Sequence, residues 1–404
     1  MEKFISFGGL LIFLLIAFMF SSDRKKINWR LVISGVLAQF FLALLILKTP
    51  FGRSFFDGAK DFFQAILSYT DEGSKFIFGG LHNTEKIGFS FAIMVLPTII
   101  FMSTLMNILY HLGIMQRIVK GCALIMMKVM GTSGAESLSA AANIFAGQTE
   151  APLTVKPYIN DMTNSELMAL MTGGMATVAG GVLAAYVGFG IDAGHLLAAS
   201  VMSAPAALVC AKLLVPETEI SKTAGKVEIE FEKDTVNMID AAASGAAEGL
   251  KLALNVGAML LAFVALIALF NGLISLVGGV FGYPGLSFEL IMGYLFAPVA
   301  FIMGVPWHEC TKVGILLAKK LVLNEFVAYL DLKQMIGTLS ERSVIISTYA
   351  LCGFANFSSI AIQIGGIGTM APNRTKDLSK LGMKSLLGGT LACLMTATIA
   401  GILI

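Results

Sequence analysis

Apolar runs recur along this chain at about the length that crosses a bilayer, roughly 20 residues. They occupy residues 4–20, 31–48, 88–110, 164–187, 191–213, 251–279, 343–368 and 381–404. Segments of a different pattern lie between them. In 54–69, Phe, Ile and Leu alternate with Asp57, Lys60 and Asp61 at helical spacing, and 115–130 sets apolar residues against Arg117, Lys120 and Lys128. Both predict amphipathic helices lying along the membrane surface. Residues 214–235 form the one long polar stretch, where Glu217, Glu219, Glu228, Glu230 and Glu232 stand among lysines; this predicts a solvated loop. An Ala- and Gly-rich segment, 238–250, leads into the run at 251–279.

Basic residues orient these spans. Arg24, Lys25, Lys26 and Arg30 follow the first run instead of preceding it, which argues against a cleaved leader. Further clusters are Arg117 to Lys156, Lys212 to Lys233, and Arg374 to Lys384. The positive-inside tendency puts all of them in the cytoplasm if eight helices span with both termini outside. That count requires two more apolar regions, 133–158 and 286–330, each to enter and leave on one side. Both are predicted re-entrant hairpins, the second turning at Gly304-Val305-Pro306-Trp307 with His308 and Glu309 at its tip. Hairpin, span, span then occurs at 133–213 and again, inverted, at 286–404. The expected fold is an all-α membrane protein: eight transmembrane helices plus two opposed re-entrant hairpins in inverted repeats, with interfacial helices. Inverted repeats with interrupted segments mark secondary transporters, whose sites lie where the repeats meet.

Composition narrows the function classes. Hydrophobic residues make up 56% of the 404 and charged residues 13%, against about 25% charged in soluble domains. With 28 Lys+Arg against 26 Asp+Glu, the net charge of +2 leaves no nucleic-acid footprint. The five cysteines, with no CxxC pair, read as small packing residues. No GK[ST] phosphate loop is present, which disfavours ATP-driven pumping.

Four segments carry polar chemistry inside apolar sequence. Ala142 to Pro152 places Gln148, Thr149 and Glu150 between Gly147 and Pro152. Such a tip leaves backbone groups open at mid-membrane and surrounds them with donors and acceptors. A cytoplasmic loop is the bland alternative. Leu323 to Tyr329 contains Glu325, which could equally cap a helix at the outer surface, since Asp331 and Lys333 follow. Two spans contain potential breaks, at Ala176 to Gly181 and at Gly353 to Ser359. An unwound helix centre exposes carbonyls to a cation and amides or hydroxyls to a polar solute. Gly180-Gly181 could also serve close helix packing alone.

Together these residues resemble the concentrative nucleoside transporters, in particular their bacterial branch. The motifs are Gly147-Gln148-Thr149-Glu150-Ala151-Pro152, Asn324-Glu325-Phe326-Val327-Ala328 and Gly353-Phe354-Ala355-Asn356-Phe357-Ser358-Ser359, and the similarity runs over the whole chain. The resemblance implies a homotrimer in the bacterial inner membrane. Residues 88–111 and 251–279 would form its scaffold, and 133–213 with 286–404 its mobile transport part. It implies a nucleobase site of Gly147, Gln148, Thr149 and Glu150 with Val182, and a ribose site of Glu325, Asn356 and Ser359 with Phe354 nearby. It also implies a sodium site at Asn143, Ala146, Thr177 and Val178. Proton-coupled relatives tend to lack the Asn, so the resemblance leans to sodium. Thr177 departs from the Ser frequent in close relatives but keeps the hydroxyl.

The function expected is import of nucleosides by a sodium-coupled secondary active symporter working through alternating access. Alternatives are proton coupling, another small polar solute, or a membrane-embedded enzyme with Glu150 and Glu325 as an acid/base pair. The last lacks a nucleophile–base pair beside Gly-Gln-Thr-Glu.

Overall fold

The computed structural model describes residues 2–82, 90–225, 235–283 and 285–404. Helices account for almost all of them. Helices α1 (Glu2–Met19), α2 (Trp29–Lys48) and α4 (Leu96–His111, after a helical turn at Phe91–Met94) follow the first three predicted spans. Asn28 caps α2 by accepting from the Leu31 amide. Thr49 caps α3 (Pro50–Phe78), with Pro50 at the first helical position. Such caps pair amides that have no partner inside a helix, a need that is sharpest in lipid.

The two predicted surface helices form. In α3 the buried residues are Gly52, Ala59, Phe63, Ile66, Thr70 and Ser74, a single stripe at steps of three, four and seven. In α5 (Ile114–Met130) they are Met115, Val119, Ala123 and Met130. A one-sided stripe is what an interfacial helix presents to the protein beneath it. Helix α3 is longer than its sequence pattern suggested and reaches Phe78.

The remainder contains one arrangement twice. First come α6 (Gly134–Ala142), a reversal, and a 3-10 run at Ala151–Asp161. They are followed by a broken helix, α7 (Asn164–Ala176) with α8 (Gly180–Gly188), and a long helix, α9 (Ala193–Leu214). Helix α10 (Met238–Val280) and α11 (Phe288–Ile302) intervene. Then come α12 (Cys310–Val322) and α13 (Glu325–Met335), the broken helix α14 (Glu341–Leu351) with α15 (Phe357–Met370), and α16 (Thr375–Leu403). Among the described residues seven helical stretches are long and apolar enough to cross a membrane. The remaining predicted span, 343–368, is split into α14 and α15, neither of which reaches that length alone.

Three details differ from the sequence-based expectation. The Ala- and Gly-rich lead-in at 238–250 is continuous with the run after it, so α10 has 43 residues. At 1.5 Å per residue it is about 65 Å long, roughly twice the hydrocarbon thickness. The second hairpin turns at Leu323-Asn324, not at Gly304 to Glu309. The latter turn joins α11 to α12, and its Trp307 and His308 are largely exposed. Glu309 there accepts from the Ser340 amide at 2.9 Å and its hydroxyl at 2.7 Å, tying this turn to the start of α14. Finally, part of the polar stretch is not free in solvent. Glu217 accepts from Thr163 and Lys212, and Ser221 donates to Glu166 at 2.5 Å, binding the stretch to the base of α7. Glu228, Glu230, Glu232, Lys226 and Lys233 lie outside the described residues.

Burial separates an inner from an outer layer. The α7–α8 and α9 spans are 89% buried, whereas the α10 span is 6% buried. Helix α10 packs along α4 and otherwise presents Leu254, Leu261, Leu269, Leu273 and Leu276 outward. The two hairpins and the two broken helices therefore lie at the centre of the fold.

Candidate functional site

Both broken helices open where the predicted breaks lie, though not through the glycine pair itself. Gly180 and Gly181 are the first residues of α8; the unwound residues are Thr177, Val178 and Ala179. In the second repeat the gap is Cys352 to Asn356, and Asn356 caps α15 by accepting from the Ser359 amide at 3.0 Å. The two gaps touch. The Phe354 amide donates to the Thr177 carbonyl at 3.2 Å. A Cβ on Gly353 would stand 2.9 Å from the Ala176 carbonyl carbon, so only glycine fits this crossing. Cys393 lies beneath it, and its thiol donates to the Ala176 and Cys352 carbonyls at 3.6 and 3.3 Å. That gives this cysteine a role beyond filling space, because helix-end carbonyls need partners.

Around the crossing, polar side chains join into one hydrogen-bonded chain. Gln363 donates to Gln148 Oε1 at 3.2 Å, and Gln148 Nε2 donates to Ser359 Oγ at 3.1 Å. Ser359 Oγ donates to Asn356 Oδ1 at 3.0 Å, and Asn356 Nδ2 donates to Glu325 Oε2 at 3.1 Å. Tyr186 completes the chain by donating to Glu325 Oε1 at 3.0 Å. The first hairpin's tip thus reaches α15 of the second repeat, and the second hairpin's tip reaches α8 of the first. Gln148, Glu325, Asn356 and Ser359 are all buried. Unpaired, each would cost several kcal/mol in such surroundings.

Glu325 is the first residue of α13, with Asn324 capping that helix through the Val327 amide at 3.0 Å. The alternative of Glu325 as a helix cap at the outer surface does not hold: Asn324 is the cap, and both residues are buried. The carboxylate has about four lone-pair directions, and its protein partners take two of them. The remaining acceptor capacity suits a solute with adjacent hydroxyls.

The other tip residues sit differently. Glu150 accepts from the Gly147 amide at 3.0 Å, closing the turn, and with Thr149 it presents an exposed side chain. It hydrogen-bonds Gly147 and not Glu325, so the two carboxylates do not form an acid/base pair. Thr149 lies against α15 at Gly366. A Cβ on Gly147 would come within 3.1 Å of Ala179 in the α7–α8 gap. Val182 is buried on α8, one turn before Tyr186.

A second cluster lies just behind the first tip. Asn143 ends α6, is 1% exposed, and donates through Nδ2 to the Ser139 carbonyl at 2.9 Å. Its Oδ1 is buried without a partner. The amide sits 3.0 Å from where a Cβ on Gly173 would stand, in the last turn of α7. Thr177 Oγ1 donates to the Gly173 carbonyl at 3.0 Å, and the Gly180 amide donates to Phe145 O at 3.0 Å, so tip and gap are sewn together. Ala146 and Val178 are buried within the same junction. An orphaned amide oxygen beside backbone carbonyls is a donor set for a hard alkali cation.

Two members of the polar chain are absent from the sequence-based assignment, Tyr186 and Gln363. Each had a signal. Gln363 is an amide in an apolar helix four residues after Ser359, and Tyr186 stands four after Val182. That spacing puts each pair on one helical face.

Comparison with known proteins places this geometry. Residues 8–81 match the family described as Na+ dependent nucleoside transporter N-terminus, and 195–401 match its C-terminus. Residues 92–193 match a gate described as nucleoside recognition. The chain is 49% identical to the uncharacterized transporter YutK of Bacillus subtilis over 98% of each chain. It is 44% identical to sodium/nucleoside cotransporter 1 of Mus musculus, with all of this chain covering 64% of that protein. Among solved structures, CNTnw in an inward-facing substrate-bound state superposes with a TM-score of 0.94 at 47% identity, covering 100% of this chain and 98% of that one. A substituted CNTnw in an outward-facing state gives a TM-score of 0.96 at the same identity.

Proposed function

The chain belongs to the sodium-dependent nucleoside transporter family, and from that premise we propose that it imports nucleosides by sodium symport. It is a multi-pass membrane transporter, a secondary active symporter and not an enzyme, working by alternating access with sodium as the coupling ion. The membrane is the bacterial cytoplasmic membrane. The observation that carries the site assignment is the polar chain from Gln363 through Gln148, Ser359, Asn356 and Glu325 to Tyr186. It joins both hairpin tips to both broken helices, so a solute bound along it touches every part that must move.

In this reading Glu325, Asn356 and Ser359 hold the ribose, with Phe354 nearby. Gly147, Gln148, Thr149, Glu150 and Val182 face the base. Sodium sits at Asn143, Ala146, Thr177 and Val178, where the orphaned Asn143 oxygen supports it. Residues 133–213 and 286–404 form the moving part. Residues 88–111 and 251–279, with the outward leucines of α10, form the scaffold of a homotrimer. The test is uptake of labelled uridine into proteoliposomes under separate sodium and proton gradients, with nucleosides, free bases, sugars and amino acids as competitors. Accumulation driven only by protons, or competition by sugars alone, would overturn the reading. Recovery of a chemically altered solute would return the enzyme alternative.

Two expected results follow from the neighbours of the site. Tyr186→Phe leaves the Glu325 carboxylate with one protein partner. A hydrogen bond to a charged group contributes about 1.5–3 kcal/mol to stability; this one exists before solute binds, so its loss acts on binding only by freeing the carboxylate to turn, and every nucleoside should bind more weakly by a similar factor in calorimetry. Unchanged affinity removes Tyr186 from the site. Gly147→Ser adds atoms beside the base and against Ala179. Purine nucleosides should lose more affinity than pyrimidine nucleosides, by about ten-fold. Equal losses indicate a damaged turn instead.

A further inference from the structure

Lys320 is 4% exposed at the centre of a membrane protein, and among the described residues it makes no ion pair. Its neighbour Lys319 differs, meeting Asp331 at 2.6 Å and Glu289 at 3.4 Å. The one hydrogen bond from Lys320 Nζ goes to the Ala350 carbonyl at 2.8 Å. Ala350 lies in the last turn of α14, immediately before the gap that supplies Asn356. A buried ammonium costs several kcal/mol after relaxation, and ionisable groups buried within membrane proteins mark function. The negative end of a helix dipole offsets part of that cost.

The first repeat has the same construction with a different occupant. There the end of α6 packs against the last turn of α7, before the Thr177–Ala179 gap. At that junction stands Asn143, a neutral amide with an unpartnered oxygen. In the second repeat the end of α12 packs against the last turn of α14, and the place is filled by Lys320. We propose that Lys320 is a built-in cation, standing in the second repeat where the first repeat takes sodium. It holds the end of α14 in the geometry that aims Asn356 at the ribose, and it leaves this transporter one exchangeable sodium for each nucleoside. Lys320 is thus a positioning residue that acts through Asn356 and sets the coupling ratio. This inference rests on the sodium site proposed above.

The test is a sodium titration of uridine affinity, with choline replacing sodium, on the purified intact protein and on Lys320→Asn. The substitution installs in the second repeat the residue that stands in the first. The slope of log affinity against log sodium counts the ions linked to binding: about one in the intact protein, rising towards about two in Lys320→Asn, which regains uridine affinity at high sodium. A merely structural lysine would lower affinity or thermal stability without changing that slope. A slope that stays at one in Lys320→Asn overturns the proposal, whether or not affinity is lost. A slope near two in the intact protein overturns it without any variant, so a misfolded variant does not shelter it. A flat titration of the intact protein is different: it removes the sodium site itself, and this proposal with it.

Discussion

Glu325→Gln is expected to weaken binding of every nucleoside by roughly a hundred-fold or more. The carboxylate already accepts from Tyr186 and Asn356, and its free acceptor directions would take two ribose hydroxyls. Two bonds to a charged acceptor contribute about 1.5–3 kcal/mol each, and Gln both removes the charge and turns a donor towards existing donors. Because all nucleosides carry the ribose, the loss should be uniform across bases. Asn356→Ala should behave alike. It removes a partner of Glu325 and the acceptor that orders both Ser358, at 2.7 Å, and Ser359. Uridine analogues lacking the ribose hydroxyls should in turn bind the intact protein poorly, since the carboxylate would stay unpaired. Near-normal uptake by either variant would falsify the ribose assignment.

Asn143→Ala should uncouple binding from sodium while leaving the fold intact. The Asn143 oxygen has no partner within the protein, so removing it forfeits no internal bond; the variant loses only the Nδ2 bond to Ser139. Leaving that acceptor unfilled costs about 1–3 kcal/mol, and an alkali cation relieves it. Sodium there would order the junction of Phe145 with Gly180, and through it the tip carrying Gln148. Coupling free energies of this type run about 1–3 kcal/mol, or roughly 5–150-fold, and they are reciprocal. Sodium should therefore raise nucleoside affinity in the intact protein within that range, and nucleoside should raise sodium affinity equally. In Asn143→Ala the sodium effect should shrink below about two-fold, with the ranking of bases preserved. Equal binding in sodium and choline, with or without Asn143, makes proton coupling the better account.

Much of the architecture was legible in the amino-acid sequence because a bilayer restricts the options. Apolar runs near the spanning length must be helices, and those at 4–20, 31–48 and 191–213 agree closely with α1, α2 and α9. One-sided stripes identified α3 and α5 for the same reason. The carboxylates and amides of the site stood out because polar residues are costly in such surroundings, and this holds for Gln148, Glu325 and Asn356. Local pattern determined which residues are interrupted, which are polar, and that two similar units exist.

Position within the fold was another matter. Nothing local distinguishes the turn at Gly304 to Glu309 from the tip at Leu323-Asn324; both interrupt an apolar region. Only packing decides that the first exposes Trp307 and His308 beside Ser340 while the second is buried against Tyr186 and Asn356. The same applies to Lys320 and Lys319, adjacent in sequence, one capping a broken helix at the core and the other paired with Asp331 and Glu289. The partners of Gln148 are 211 and 215 residues away, and no periodicity reports such a separation. The sequence alone determined most of the helices, the two breaks in the spans and the chemical type of the main buried groups. The tertiary structure decided which tip meets which break, because that depends on long-range contacts between repeats that local composition does not encode.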